Sequence, residues 1–595
     1  MGAFKDAIIT KKGHELIYKA VFNGATVEFS KIKTSDAVLG DNLAYLTDLG
    51  SIKQEESVAS VIREDDTTVK VSATFSNKEL TEGYYVRAVG LYAIDPDEGE
   101  ILYSISVADE ETATADWMPP FTNIGVSSLI LDLVTAVGSA SSVNLTVDPS
   151  TYATIAQVED LQEQIDTVRS FIGYSEEGIY GIEVDFASQT ISRIAGAENL
   201  TAGADFDKIE AWGGRKRCIL TDDGVRLAYY GEQGYTETGA LTEGITVNGT
   251  KYPVGTFVQV MVEQPIFYVK AVPVTAKNAT SGRGKQYVKA RFYISTTPQS
   301  GFSAPRAFYD DKGILQDKIY LSAYESCPYI GYTGKYANDA TISAITYTDT
   351  VILSSVAGYR AQSGVSANFS RVEARKYATR RGAGWRLHNI WAMAVTEWLF
   401  MIEYASLDPQ RAVGQGVCTL ADTPSTDNLS LKTGATAELG NASGIPADGV
   451  DGRCSVTYRG EENLWGNIWT WLDGVNIRAN GVNEIWVAKI GTAPTDSTTE
   501  GYERLAFNAS HTTGYLSAFG IDERYPELLI PTEAGGSDTF ADYIYQNHTY
   551  EGFCVALFGN KWSAETRCGF TLALDVNSSY DNRDIGARVM YVPQT

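Results

Sequence analysis

Histidine is scarce in this 595-residue chain. The four that occur (His14, His388, His511 and His548) stand far apart, and none pairs with a cysteine at the spacing of a metal site. Cysteine is nearly as sparse: Cys218, Cys327, Cys418, Cys454, Cys554 and Cys568 are scattered with no CxxC pair. They read as free thiols made in a reducing compartment, which excludes a small disulfide framework. Cationic residues are in deficit, with 48 Lys and Arg against 74 Asp and Glu, a formal charge of −26. Such a chain is a poor partner for DNA or for anionic lipid headgroups, so neither nucleic acid nor membrane insertion is expected. No long apolar run exists: residues 390–402 are the longest and Glu397 interrupts them. The N-terminus, MGAFKDAIITKKG, has no apolar core of a signal peptide. Also missing are a Walker loop, a GxSxG elbow and an HExxH helix. No catalytic residue, no metal ligand and no cofactor is assigned, and an enzyme is not expected; a structural divalent cation is left open.

What is present leans toward β structure and aromatic contact: 35 Tyr, 10 Trp and 55 Gly. Length alone allows three or four domains. Residues 1–148 form a first unit. It holds an alternating strand at 27–33 and a hairpin about the turn Asp95-Pro-Asp-Glu-Gly99. That acidic turn lacks the remaining ligands of a calcium loop and reads as a plain turn. In a linker at 149–173, Val158, Leu161, Ile165, Val168 and Ile172 recur at spacings of 3, 4, 3 and 4 between polar residues. This is the seam of a coiled coil about two heptads long, able to set register in an oligomer but not to hold it alone. Dimer and trimer stay undecided on the heptads.

Residues 174–356 read as β-rich, with alternation at 180–191 and 287–295 and a turn at Asp222-Asp223-Gly224. A basic patch at Lys277, Arg283, Lys285, Lys289 and Arg291 reads as solvated. A second basic run, RVEARKYATRRGAGWR, leads to Asn389, which is placed to cap a helix from Ile390 to Tyr404. Without stacking aromatics between its charges, that run reads as arginines bracing the fold.

Two stretches organise the C-terminal part. Residues 462–474, ENLWGNIWTWLDG, crowd Trp465, Trp469 and Trp471 around Asn467. Trp is the costliest side chain to leave in water, so such a cluster pins a core. Residues 558–592 alternate strand-like segments with polar runs. The runs carry Asn560, Lys561, Trp562, Ser563, Glu565 and Arg567, then Ser579, Tyr580, Asp581 and Arg583. Short polar runs on a rigid frame are the composition of a recognition surface.

The pattern EN-x-WGN-x-W-x-W-x-DG, followed by G-x-x-W…GF…N…IGAR, resembles the C-type-lectin-fold receptor-binding modules of phage tail fibres. That family includes the variable proteins of diversity-generating retroelements and shares its fold with formylglycine-generating enzymes. The N-terminal unit is similar to the attachment domain of tail-collar fibre proteins. The resemblance implies an α+β, β-rich multidomain fibre: an attachment domain, a short coiled coil, a β-rich intermediate domain, and a lectin-like domain at 357–595. It implies a scaffold of Trp465, Asn467, Trp469, Trp471, Gly586 and Arg588. It also implies a homotrimer in a virion tail fibre, docked on baseplate or tail proteins and gripping a host cell-surface glycan or protein. Two rival readings are a fibre-borne glycan depolymerase, with a deep acidic groove, and a spacer without a receptor. The enzymatic relatives use paired cysteines, for which Cys554 and Cys568 are the candidates close in sequence.

Overall fold

The computed structural model describes residues 4–23, 26–65, 67–109, 115–121, 128–138, 143–145, 178–331, 334–337, 351–366, 369–423 and 427–595. The proposed coiled-coil residues Val158, Leu161, Ile165, Val168 and Ile172 lie outside them. The chain divides into two compact units, 1–167 and 168–595, and both are β-rich.

In the first unit the expected hairpin joins Ala88–Asp95 to Gly99–Val107, with Asp95 opposite Gly99. The Asp95 carboxylate accepts the amides of Asp97 and Glu98 and the Lys19 ammonium, which makes the acidic loop a tight turn. Val27–Ser35 pairs with Ala88–Asp95. A helix not expected from the sequence, Lys11–Asn23, packs on this sheet. It comes so close that a Cβ at Gly13 would sit 2.2 Å from the Tyr103 carbonyl oxygen. A second sheet orders Ser128–Ala136, Thr68–Ser76 and Ser60–Arg63. Leu16, Phe29, Val71, Phe75 and Tyr103 share one buried core.

The second unit is built around the helix Ile390–Tyr404, here α1. Asn389 caps it by accepting the amides of Trp391 and Ala392 at 3.1 and 3.0 Å. Every residue from Ile390 to Glu403 is buried. A helix apolar all round has no face to give to water. Glu403 is tolerated inside because Arg459 donates to both its oxygens at 2.6 Å and Tyr458 adds a third bond.

Around this helix the segments that the sequence separates at 356/357 share sheets and a core. Lys318–Ser322 pairs with Val589–Tyr591, which pairs with Trp385–Leu387. The large sheet runs from Ile179–Asp185 and Lys285–Ser295 through Gly514–Ile521 to the C-terminal strands. The basic run 371–386 braces the fold, as its composition suggests. Buried Arg371 donates to Asp496, to Asn476 and to the Leu472 and Val475 carbonyls, and Arg375 grips Asp473 through two 2.7 Å bonds. In the other basic patch, Lys289 and Arg291 both pair with Glu183.

Candidate functional site

Five strands of the large sheet meet at the candidate site: β1 (Trp469–Ala479), β2 (Tyr543–Tyr545), β3 (Gly552–Phe558), β4 (Leu572–Asn577) and β5 (Ile585–Gly586). Tyr545 lies opposite Ala573, Ala573 opposite Leu557, and Trp469 opposite Ile585. These residues floor an open groove of about 990 Å³. Its walls are residues 418–422, residues 560–567 and the run that follows β4.

Backbone and amide contacts fix the walls. Asn560 sits at φ +68°, receives the Lys561 amide and donates to the Arg567 carbonyl at 2.9 Å, closing the 560–567 loop on itself. That loop is laced to 418–422: the Glu565 amide donates to the Cys418 carbonyl, and the Leu420 amide to the Trp562 carbonyl. Ser579 donates through its amide and hydroxyl to the Asn577 side chain, which turns the chain after β4. Charges then lock all three walls. Lys561 Nζ lies 2.8 Å from Asp584 and 3.2 Å from Asp422, while Arg583 donates to Asp422 at 2.6 Å. Burial works against the Lys561 ammonium, but Asp584 and Asp422 outweigh it and hold its pKa above the ordinary value. Burial likewise opposes the Asp422 carboxylate, and Lys561 overrides it.

Of the residues singled out for recognition, Asn560, Lys561, Ser563, Glu565, Arg567 and Tyr580 line the groove; Ser579, Asp581 and Arg583 do not. Tyr580 is 44 % exposed, with its hydroxyl accepting the Asn582 amide. Trp562 is a correction. It is 0 % exposed, packed with Ala361, Val417 and Ile468, so it anchors the loop and offers no ring to a ligand. Asn560, 2 % exposed, is likewise a staple of the loop.

Among the scaffold residues, Trp465 and Trp471 are fully buried and donate to the Gly414 and Phe369 carbonyls, both at 2.9 Å. Asn467 accepts the Leu431 amide. Arg588 is buried against the carbonyls of Glu462 and Ser322. Gly586 lies in β5, next to the Gln362 carbonyl. Trp469 turns out to be groove floor as well as frame, edge-on to Tyr545 at 5.8 Å.

Sequence reasoning missed Asp422, Tyr545, Asp575, Asn577 and Asn582, which also line the groove. The last two belong to a polar run visible in the sequence; nothing local marks Asp422 or Tyr545. The cysteines that meet are not the two close in sequence. Cys568 contacts Cys418, not Cys554, and burial pushes the Cys554 thiol up to about 12. Among the described residues no group of three or more His, Cys, Asp or Glu is placed to hold a metal ion, and no helix is long and apolar enough to cross a membrane.

No family model matches the chain, and no curated protein does. Among solved structures it is similar to three variants titled Major Tropism Determinant. The P3c variant is 12 % identical, covering 68 % of this chain and 77 % of its own. The U1 variant is 13 % identical over 66 % and 73 %, and the I1 variant 13 % over 69 % and 94 %. All three superpose with a TM-score of 0.21.

Proposed function

We propose that this chain is the receptor-binding protein of a tail fibre, on a phage or a phage-tail-like particle. Its N-terminal unit docks on baseplate or tail proteins, and its C-terminal groove grips a receptor on the host cell surface. The observation that supports this most is the convergence of walls from residues 418–422, 560–567 and 577–585 on one open groove over a sheet. Their frame is fixed by buried tryptophans and ion pairs, while Ser563, Glu565 and Tyr580 line the groove outside that frame. Several copies on one particle, as a homotrimer per fibre, multiply a modest single-site affinity through effective concentration. If a diversifying retroelement acts on this locus, its substitutions fall on those groove positions, which resequenced sibling isolates would show.

Of the groove's four carboxylates Asp422 and Asp584 are committed to Lys561, which leaves Glu565 and Asp575 as the pair a depolymerase would need. The test is retention of the purified full chain on host envelope. Ser563→Trp, which fills the groove rim, should abolish retention while leaving the melting temperature in place. Release of new reducing ends from host polymer would instead favour a depolymerase.

A further inference from the structure

Strand β1 serves a second pocket besides the groove. Trp469, at its start, floors the groove, whereas Asp473 and Gly474 line a separate hollow of about 690 Å³ that shares no lining residue with it. The other walls are the helix Arg371–Thr379, the start of α1, residues 306–311 and residues 488–494. The carboxylates of this pocket are spent. Asp473 holds Arg375 through two 2.7 Å bonds, and Asp311 pairs with Arg386. Asp310 accepts the Thr595 hydroxyl and the amides of Lys312 and Ile314.

The donors are not spent. Buried Trp212, Trp385, Trp398, Trp465 and Trp471 each give their indole N–H to a carbonyl. Trp391, only 5 % exposed, gives its own to none of the described residues. Asn389, 9 % exposed, has its Oδ1 taken by the amides of Trp391 and Ala392, which leaves Nδ2 on the other side without an acceptor. A Cβ at Gly474 would stand 3.6 Å from Trp391 Nε1 and 3.7 Å from Asn389 Cβ with nothing nearer, so both donors open onto the space beside this glycine. The half-buried Arg306 guanidinium lies over the Trp391 ring at 4.9 Å. It forms no ion pair among the described residues, its Nη1 has no hydrogen-bond partner, and Glu527 takes its main-chain amide instead. Lys376 and Lys489 add charge at the exposed rim, and α1 adds the partial positive charge of its first turn. Fixed donors among occupied acceptors select a ligand that only accepts, and a charged one most strongly.

We propose that this pocket binds an oxyanion, a carboxylate or a phosphate, on Trp391 Nε1, Asn389 Nδ2 and the Arg306 guanidinium. The site is separate from the groove and holds whether or not the groove grips a receptor. The test uses the full chain isotope-labelled at tryptophan, with the indole signal lost in Trp391→Phe identifying Trp391. Titration with inorganic phosphate or with acetate should move that signal downfield to saturation, while sodium chloride at equal ionic strength leaves it in place. The anion that saturates at the lower concentration is the kind the pocket takes. Arg306→Gln should weaken binding about tenfold or more, as expected for losing a charged hydrogen bond. Lys489→Glu, at an exposed position that folding does not depend on, should weaken it as well. A Trp391 signal unmoved by both anions, moved equally by chloride, or saturating at the same concentration in Arg306→Gln and Lys489→Glu would overturn the inference.

Discussion

The Asn467 side-chain amide donates to the Glu325 carboxyl at 2.6 Å, and both residues are fully buried. Burial outweighs this bond and nearby Arg588, pushing Glu325 from an ordinary 4.5 to about 8. Glu527, buried at the Arg306 amide, is pushed to about 7. A carboxyl raised on folding contributes stability that is complete below its unfolded pKa and is lost as pH rises through its folded one. The melting temperature of the second unit should therefore fall between pH 5 and pH 9. Tryptophan fluorescence reports it, since nine of the ten Trp lie beyond residue 167. Glu325→Gln should flatten the fall, and an unaltered slope would refute the assignment.

Trp562 tests the division between frame and surface. A buried Trp cut to Ala costs about 3–5 kcal/mol, through lost burial and the cavity left behind. Trp562→Ala should lower the melting temperature as Trp471→Ala does. A surface residue would shift it hardly at all.

Tyr580 and Arg583 should behave differently from each other. Tyr580→Ala removes an exposed groove group and should weaken receptor binding with no change in melting. Arg583→Ala unhooks Asp422, so it should loosen the walls, at a cost to stability of up to about 1 kcal/mol. Because Lys561 shares that carboxylate, Lys561→Met and Arg583→Ala should combine non-additively in binding, read from a double-mutant cycle.

The cap on α1 offers a check on the central helix. Asn389→Ala strips two amides of their acceptor and should cost about 1 kcal/mol in denaturant unfolding. Asn389→Asp should restore most of it.

Features written locally were legible in the sequence: the capped helix Ile390–Tyr404, the hairpin at Asp95–Gly99 and the tryptophan cluster around Asn467. Each depends on neighbours within a few turns of chain. The groove was legible only by halves. Its C-terminal wall shows as polar runs, but Asp422 reaches it from about 140 positions away, and pairings that distant leave no periodic trace. Trp562 misled because its neighbours are polar; a lone Trp in a polar run anchors the run as readily as it decorates it. One sheet crosses the division at 356/357, since Lys318–Ser322 finds its neighbour at Val589–Tyr591, a partnership that strand propensity does not encode.

The lacing of residues 560–567 to 418–422 relies on main-chain amides and on Asn560, and asks nothing of the Ser563, Glu565 or Thr566 side chains. Glu565 sits at φ +55° and Thr566 bonds the Tyr515 hydroxyl, so Ser563 is the one of the three most freely rewritten while the loop keeps its shape, and a lineage carrying this protein can change its quarry there without relearning how to fold.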